Sequence, residues 1–230
     1  MNPISGTCVR SKLVIVGDCA CGKTSLIHRY VNGAFLETYA PTGFNTYNAT
    51  YDVSDTYKIE MSVWDTSGDG GYDRVRPLSY AEADLVIICF SVADPDSLEH
   101  VMSKWYPEVR EHCPNQPIML VGCKTDLRSD LQCISALAKK KQIMVSYDQG
   151  LKAGKHIGAL AYSETTAKSS QRSVGDVIEI AALSSAGNKN STEAPNFKRQ
   201  RSFMRRKRFS GLNDTKSQLR KDVVKSCVVM

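Results

Sequence analysis

Apolar positions along this chain follow two periods, and the places where the period changes mark its elements. Residues 12–16 (Lys-Leu-Val-Ile-Val) are a short, β-branched run ending at Gly17, the pattern of a strand buried on both faces. A helix is predicted over 23–32, closed by Gly33. Residues 46–53 and 57–65 alternate apolar and polar positions about Ser54-Asp55-Thr56, which predicts an antiparallel hairpin. Two more buried strands, 85–92 and 118–122, are each followed by helix-forming sequence. Asp94-Pro95-Asp96 starts the first of these helices, which is predicted to run to Cys113. A short strand over 159–164 precedes a helix over 173–183.

Strands alternating with helices argue for an α/β fold, a mostly parallel sheet covered on both faces. One core accounts for residues 8–186, with 1–7 as an N-terminal extension. Beyond Ala186 the periodicity stops. Gly, Asn, Ser, Thr and Pro give way to Lys198-Arg199-Gln200-Arg201 and Arg205-Arg206-Lys207-Arg208, so 187–230 is expected to be a disordered, basic tail.

Composition narrows the class. Apolar residues are 42% and charged ones 23% of 230 residues, as in globular chains. The longest apolar run, Leu85-Val86-Ile87-Ile88-Cys89-Phe90, is far short of the ~20 residues that span a bilayer. The N-terminus does not read as a secretory signal, and Asn2 stands where a myristoyl acceptor needs Gly. The eight cysteines show no paired metal spacing and read as free thiols. The net charge of +6 is unevenly placed. Residues 191–230 hold 11 Lys/Arg against 3 Asp/Glu, leaving 19 against 21 in the body.

The chemistry begins at Gly17-Asp18-Cys19-Ala20-Cys21-Gly22-Lys23-Thr24, followed by Ser25, which matches the phosphate-loop pattern G-x-x-x-x-G-K-[ST] between a strand and a helix. Backbone N–H groups and the positive end of the helix suit phosphate oxygens. Lys23 would neutralise the β and γ phosphates, and Thr24 would offer a hydroxyl to Mg²⁺. Asp65-Thr66-Ser67-Gly68 ends the third strand, where Asp65 can hold the metal through water and Gly68 admits a close backbone approach. Thr42, after Pro41, is a second Mg²⁺ ligand candidate.

Two later segments, Gly122-Cys123-Lys124-Thr125-Asp126 and Glu164-Thr165-Thr166-Ala167-Lys168, each follow a buried strand. With the phosphate loop they make the chain resemble the Ras superfamily of small GTPases. The resemblance implies a six-stranded sheet with one antiparallel strand, GTP and GDP as ligands, and Mg²⁺. It also implies that Asp126 accepts from the guanine N1–H and amine, Lys124 packs over the ring and Phe35 braces it. Ala167, between Thr166 and Lys168, would donate its N–H to the ketone oxygen. A carboxylate at Asp126 favours guanine over adenine.

Tyr39-Ala40-Pro41-Thr42-Gly43-Phe44 and Tyr72-Asp73-Arg74-Val75-Arg76-Pro77-Leu78-Ser79-Tyr80 resemble the switch segments of the Rho family, and 128–142 resembles its insert helix. On that resemblance residues 39–47 form the effector surface, where Gly43, Asn45, Thr46 and Tyr47 follow Thr42 and Phe44. Gly43 replaces a Val, and Asn45 and Thr46 replace Glu and Asn.

The departures are informative. Hydrolysing members carry a Gln that orients the attacking water, and here Asp69 stands in its place. Cys19 replaces a Gly that leaves room for that Gln and for an arginine finger, and Ser67 replaces the usual Ala. These changes and Cys123 resemble the Rnd branch, whose members bind GTP and hydrolyse it little. The expectation is a constitutively GTP-bound protein acting on actin and adhesion through Rho-type effectors and regulators, with no catalytic group intact. A cycling GTPase under exchange factors and activating proteins is the alternative.

Cys227-Val228-Val229-Met230 fits a prenylation box, and the terminal Met points to farnesyl. One lipid chain binds only marginally, and the basic cluster over 198–208 supplies a second signal. A basic run also suits nucleic acid or nuclear import; the lipid box favours the membrane. Ser202 and Ser210, beside basic residues, could cancel charge when phosphorylated. The expected partners are therefore effector and regulator proteins and a membrane, with no nucleic acid. The expected state is a monomer in the cytosol and on the cytoplasmic face of the plasma membrane.

Overall fold

A computed structural model describes residues 7–38, 40–189 and 227–229. The 12–16 run lies inside a longer strand β1 (Thr7–Gly17), in which Leu13 and Ile15 face one side of the sheet and Val14 and Val16 the other. That alternation, with every position from 13 to 16 apolar, is why this half of the strand is buried on both faces. Helix α1 (Lys23–Asn32) follows, and Gly33, at φ 68°, ends it in the left-handed conformation. The hairpin is β2 (Phe44–Ser54) and β3 (Tyr57–Thr66), joined by Asp55 and Thr56. Then come β4 (Leu85–Ser91), buried at every position, β5 (Ile118–Cys123) and β6 (Ala161–Glu164).

The sheet order is β2-β3-β1-β4-β5-β6, with β2 antiparallel to β3 and the other pairs parallel. A short strand β7 (Cys227–Val229) adds antiparallel to β6. It is a difference from the tail expected without structure; the rest of that tail from residue 190, with the basic cluster and its serines, lies outside the described residues.

Helices cover both faces. α1 and α6 (Gln171–Lys189) pack Leu26, Ile27, Val174 and Ile178 on the Leu13/Ile15 side. On the Val14/Val16 side lie Trp105, Val109 and Ile157. α6 runs three residues past the boundary placed at 186. The helix expected from Asp96 to Cys113 is α2 (Pro95–His100) and α3 (Tyr106–His112) with a π-helical stretch, Val101–Trp105, between them. The insert helix is shorter than the expected 128–142. A 3-10 turn, Thr125–Ser129, leads into α4 (Leu131–Lys139), then α5 (Tyr147–His156).

β1 has β3 on one side and β4 on the other, so consecutive crossovers leave it in opposite directions. The carboxyl end of such a strand opens a crevice where ligands bind. The register pairs Ile15 with Asp65 and Gly17 with Cys89, bringing the β1–α1 loop and the end of β3 to that crevice.

Candidate functional site

The β1–α1 loop turns sharply, with Gly17 and Gly22 at φ 141° and 117°. Ala20 sits at φ 55°, a left-handed geometry that costs a residue with a Cβ roughly 1–2 kcal/mol and concentrates at ligand-binding turns. Lys23 Nζ donates to the Gly17 and Asp18 carbonyls, both at 2.7 Å, which pins the ammonium against the loop.

At the open end of the crevice three expected residues meet. Thr24 Oγ1 lies 2.8 Å from Thr42 Oγ1 and donates to Asp65 Oδ2 at 2.6 Å. Asp65 is fully buried, and its Oδ1 has no hydrogen-bond partner. Burial pushes its carboxyl above the ordinary range, against the pull of the Thr24 hydroxyl and Lys23. Two hydroxyls and an under-satisfied buried carboxylate suit a hard divalent cation. Among the described residues no group of three or more His, Cys, Asp or Glu could hold a metal, so a cation here would depend on hydroxyls, water and the ligand's own oxygens.

A cavity of about 530 Å³ spans this region. Cys19, Ala20, Gly22, Lys23, Thr24 and Ser25 line it from the loop and α1; Phe35, Ala40, Pro41, Thr42 and Gly43 line it from the α1–β2 connection. Gly68, Asp69, Tyr72 and Lys124 complete it. Gly68 is packed so closely that a Cβ there would lie 2.4 Å from the Cys19 nitrogen. Tyr39 lies outside the described residues.

Some expected residues are placed differently. The Asp18 side chain turns toward the helical segment 95–112, accepting from the Trp105 indole N–H and pairing with His100 Nδ1, each at 2.6 Å. Cys21 is buried beneath the loop, where loss of hydration pushes its thiol up to about 11, so it is an inert protonated thiol. Asp126, Ala167 and Lys168 do not line the cavity. Thr166 Oγ1 donates to Asp126 Oδ1 at 2.6 Å, which fixes that carboxylate beside the β5 end.

Asp69 is also committed. It starts the 3-10 turn Gly70–Tyr72, and its Oδ1 accepts from the Gly71 N–H at 2.7 Å, while its own N–H donates to Ser67 Oγ at 3.3 Å. Capping is what a short acidic side chain before two glycines does best, and the sequence signal was there to be read.

The sequence reading missed a second layer. Arg76 is fully buried; its guanidinium donates to both oxygens of Glu108 (2.7 and 2.6 Å), to Asp73 (2.5 Å) and to the Ser67 carbonyl (3.0 Å), and lies over the Trp105 ring. Tyr80 donates to the same Glu108 carboxylate at 2.6 Å. Tyr72 meets Phe44 edge-on, ring centres 5.6 Å apart, with its hydroxyl over Gly43. Thus 67–80 is tied to α3 on one side and to the start of β2 on the other.

A family model described as the Ras family matches residues 12–184. The chain belongs to the Ras family. Its relatives place it among Rho proteins, on the side of the Rnd branch. It is 44% identical over 228 residues to the Rho-related GTP-binding protein RhoE of Homo sapiens and of Mus musculus, spanning 96% of this chain and 91% of each relative. It is 48% identical over 177 residues to the GTP-binding protein RHO1 of Candida albicans, spanning 77% of this chain and 88% of that protein.

Proposed function

We propose that this protein binds GTP and Mg²⁺ in the crevice at the β1 end and stays in the GTP-bound form, acting as a binding module for effectors rather than as a turning-over enzyme. The fate of Asp69 supports this most directly. Water activation needs an amide that both accepts from water and donates toward the γ-phosphate; the Asp69 side chain has no N–H to donate, and one of its oxygens already accepts from the Gly71 N–H. The Cys19 side chain at the cavity wall narrows the room for a finger from an activating protein.

Retention of the nucleotide is supported by parts that are intact. The β1–α1 loop and Lys23 suit the phosphates. Thr24 and Thr42 would hold Mg²⁺ directly and Asp65 through water; when bound, the ion neutralises phosphate charge. The guanine would sit against Lys124 and Phe35, with Asp126, oriented by Thr166, accepting from its N1–H and amine, and Ala167 reading the ketone oxygen. The RhoE and RHO1 names both carry GTP binding.

In this reading residues 39–47 present the effector surface and the sequence from 198 to Cys227 supplies a basic, farnesylated membrane anchor at the cytoplasmic face of the plasma membrane. Output on actin and adhesion, by way of Rho signalling, is proposed from the resemblance to the Rnd branch. The test is the nucleotide that co-purifies with the full chain. Predominantly GTP supports the reading; predominantly GDP indicates the cycling alternative.

A further inference from the structure

Helix α4 is held to the domain by little of its surface. Leu137 is its one buried residue, and Asp130 Oδ1 satisfies its first turn by accepting from the Gln132 and Cys133 N–H groups at 2.9 and 3.1 Å. The remaining apolar side chains point away: Leu131 is 80% exposed, Ile134 42%, and Ile143, just past the helix, 76%. On a helix of 3.6 residues per turn, Leu131, Ile134 and Ala138 fall within roughly 60° of one another, so they make one outward stripe.

Charge gives that stripe a partner. Lys139, Lys140 and Lys141 close the helix, all exposed, and no acidic residue occurs between Leu131 and Met144. The body of the chain is slightly acidic, so this cationic rim runs against its surroundings. Exposed Leu and Ile beside clustered Lys is the composition of an interfacial helix, whose apolar side chains enter the headgroup boundary while the lysines meet anionic lipid. The same chain carries a second acid-poor basic cluster at 198–208, which an anionic surface would engage at the same time.

We propose that the outer face of α4, with Leu131, Ile134 and Ile143 as apolar contacts and Lys139, Lys140 and Lys141 as cationic rim, is a docking surface for an anionic lipid bilayer. It goes beyond the nucleotide reading and does not depend on lipidation of Cys227. Bound this way, the domain meets the membrane at a fixed face.

The experiment uses the full chain, unlipidated, with vesicles of phosphatidylcholine alone or with phosphatidylserine. The parent should sediment with the anionic vesicles only. Leu131→Ser/Ile134→Ser/Ile143→Ser and Lys139→Gln/Lys140→Gln/Lys141→Gln should each lower that partition at least about tenfold, with the tail still present. As these side chains are exposed, bound nucleotide and melting temperature should match the parent. A second variant, Leu131→Trp, reads contact itself: brominated lipid should quench its indole beyond the Trp64 and Trp105 background. Parent-like partition of both triple variants, or no added quenching in Leu131→Trp, overturns the proposal and leaves the face to a protein partner.

Discussion

Replacing Arg76 should cost this domain more than any surface substitution. Its guanidinium is fully buried and is the cation facing Glu108, whose side chain is only 15% exposed. In Arg76→Met the methionine fills most of the volume over Trp105, but the Glu108 carboxyl is left nearly buried without its cation, with only the Tyr80 hydroxyl as partner. Removing one member of a buried pair costs about 3–5 kcal/mol, mainly the desolvation of the charge left behind. At roughly 2–4 °C per kcal/mol for a domain of this size, the melting temperature should fall by about 6–20 °C. Asp73, 46% exposed, rehydrates and adds little. The measurement is thermal unfolding at one fixed excess of GTP and Mg²⁺, since ligand shifts apparent stability by mass action. The control is Arg76→Met/Glu108→Leu/Tyr80→Phe, which removes the buried charges and the Tyr80 hydroxyl together, leaves Asp73 paired with Lys104 at the surface, and should recover most of the loss. A single variant melting within about 2 °C of the parent, or a triple variant less stable than the single one, would refute the reasoning.

Other expectations are as direct. His100 accepts its raised pKa from the Asp18 carboxylate beside Nδ1, with partial burial opposing. Its contribution to stability is therefore full below the unfolded value near 6.5 and fades as pH rises through the higher folded value; an NMR titration should place its midpoint above 6.5, and His100→Asn should flatten the pH dependence of melting between about pH 6 and 8. Tyr72→Ala removes the ring that joins Phe44 and Gly43, an aromatic contact worth about 0.5–1.5 kcal/mol, so release of a fluorescent GTP analogue should quicken about two- to tenfold; an unchanged rate would show that the ring does not hold the nucleotide. At the proposed guanine site Asp126→Ala would forfeit two charge-assisted hydrogen bonds, at least about 3 kcal/mol together, and titration calorimetry should show the preference for GTP over ATP falling about a hundredfold or more.

What could be read from the sequence was local. The β1 run, the phosphate loop, the Gly33 stop and the hairpin turn each need only neighbouring residues to fix them, and each is found where the pattern puts it. Thr24 was read from the loop pattern, Asp65 from the Asp-x-x-Gly at the end of its strand and Thr42 from its place after Pro41, and the fold brings these three side chains within hydrogen-bond distance. The clamp was not: Arg76 meets Glu108 across 32 positions, and His100 meets Asp18 across 82, and no period links either pair. The π-helical stretch Val101–Trp105 carries no Gly or Pro to announce it, yet it ends on Trp105, which reaches both Asp18 and Arg76. Leu131, Ile134 and Leu137 have helical spacing, but spacing cannot tell which of them the domain covers, and only Leu137 is buried.

The measurement that bears most directly on the central claim is single-turnover hydrolysis of GTP by the purified protein, alone and with a Rho-type activating protein, repeated on Asp69→Gln/Cys19→Gly. The parent should show no turnover with or without the activator, and the double variant, where an amide and an open loop return together, should recover it. An arginine finger is worth about 10³–10⁵ in rate, so the contrast is large. Turnover by the parent at ordinary small-GTPase rates, accelerated by the activator, would contradict that claim and make the protein a cycling switch.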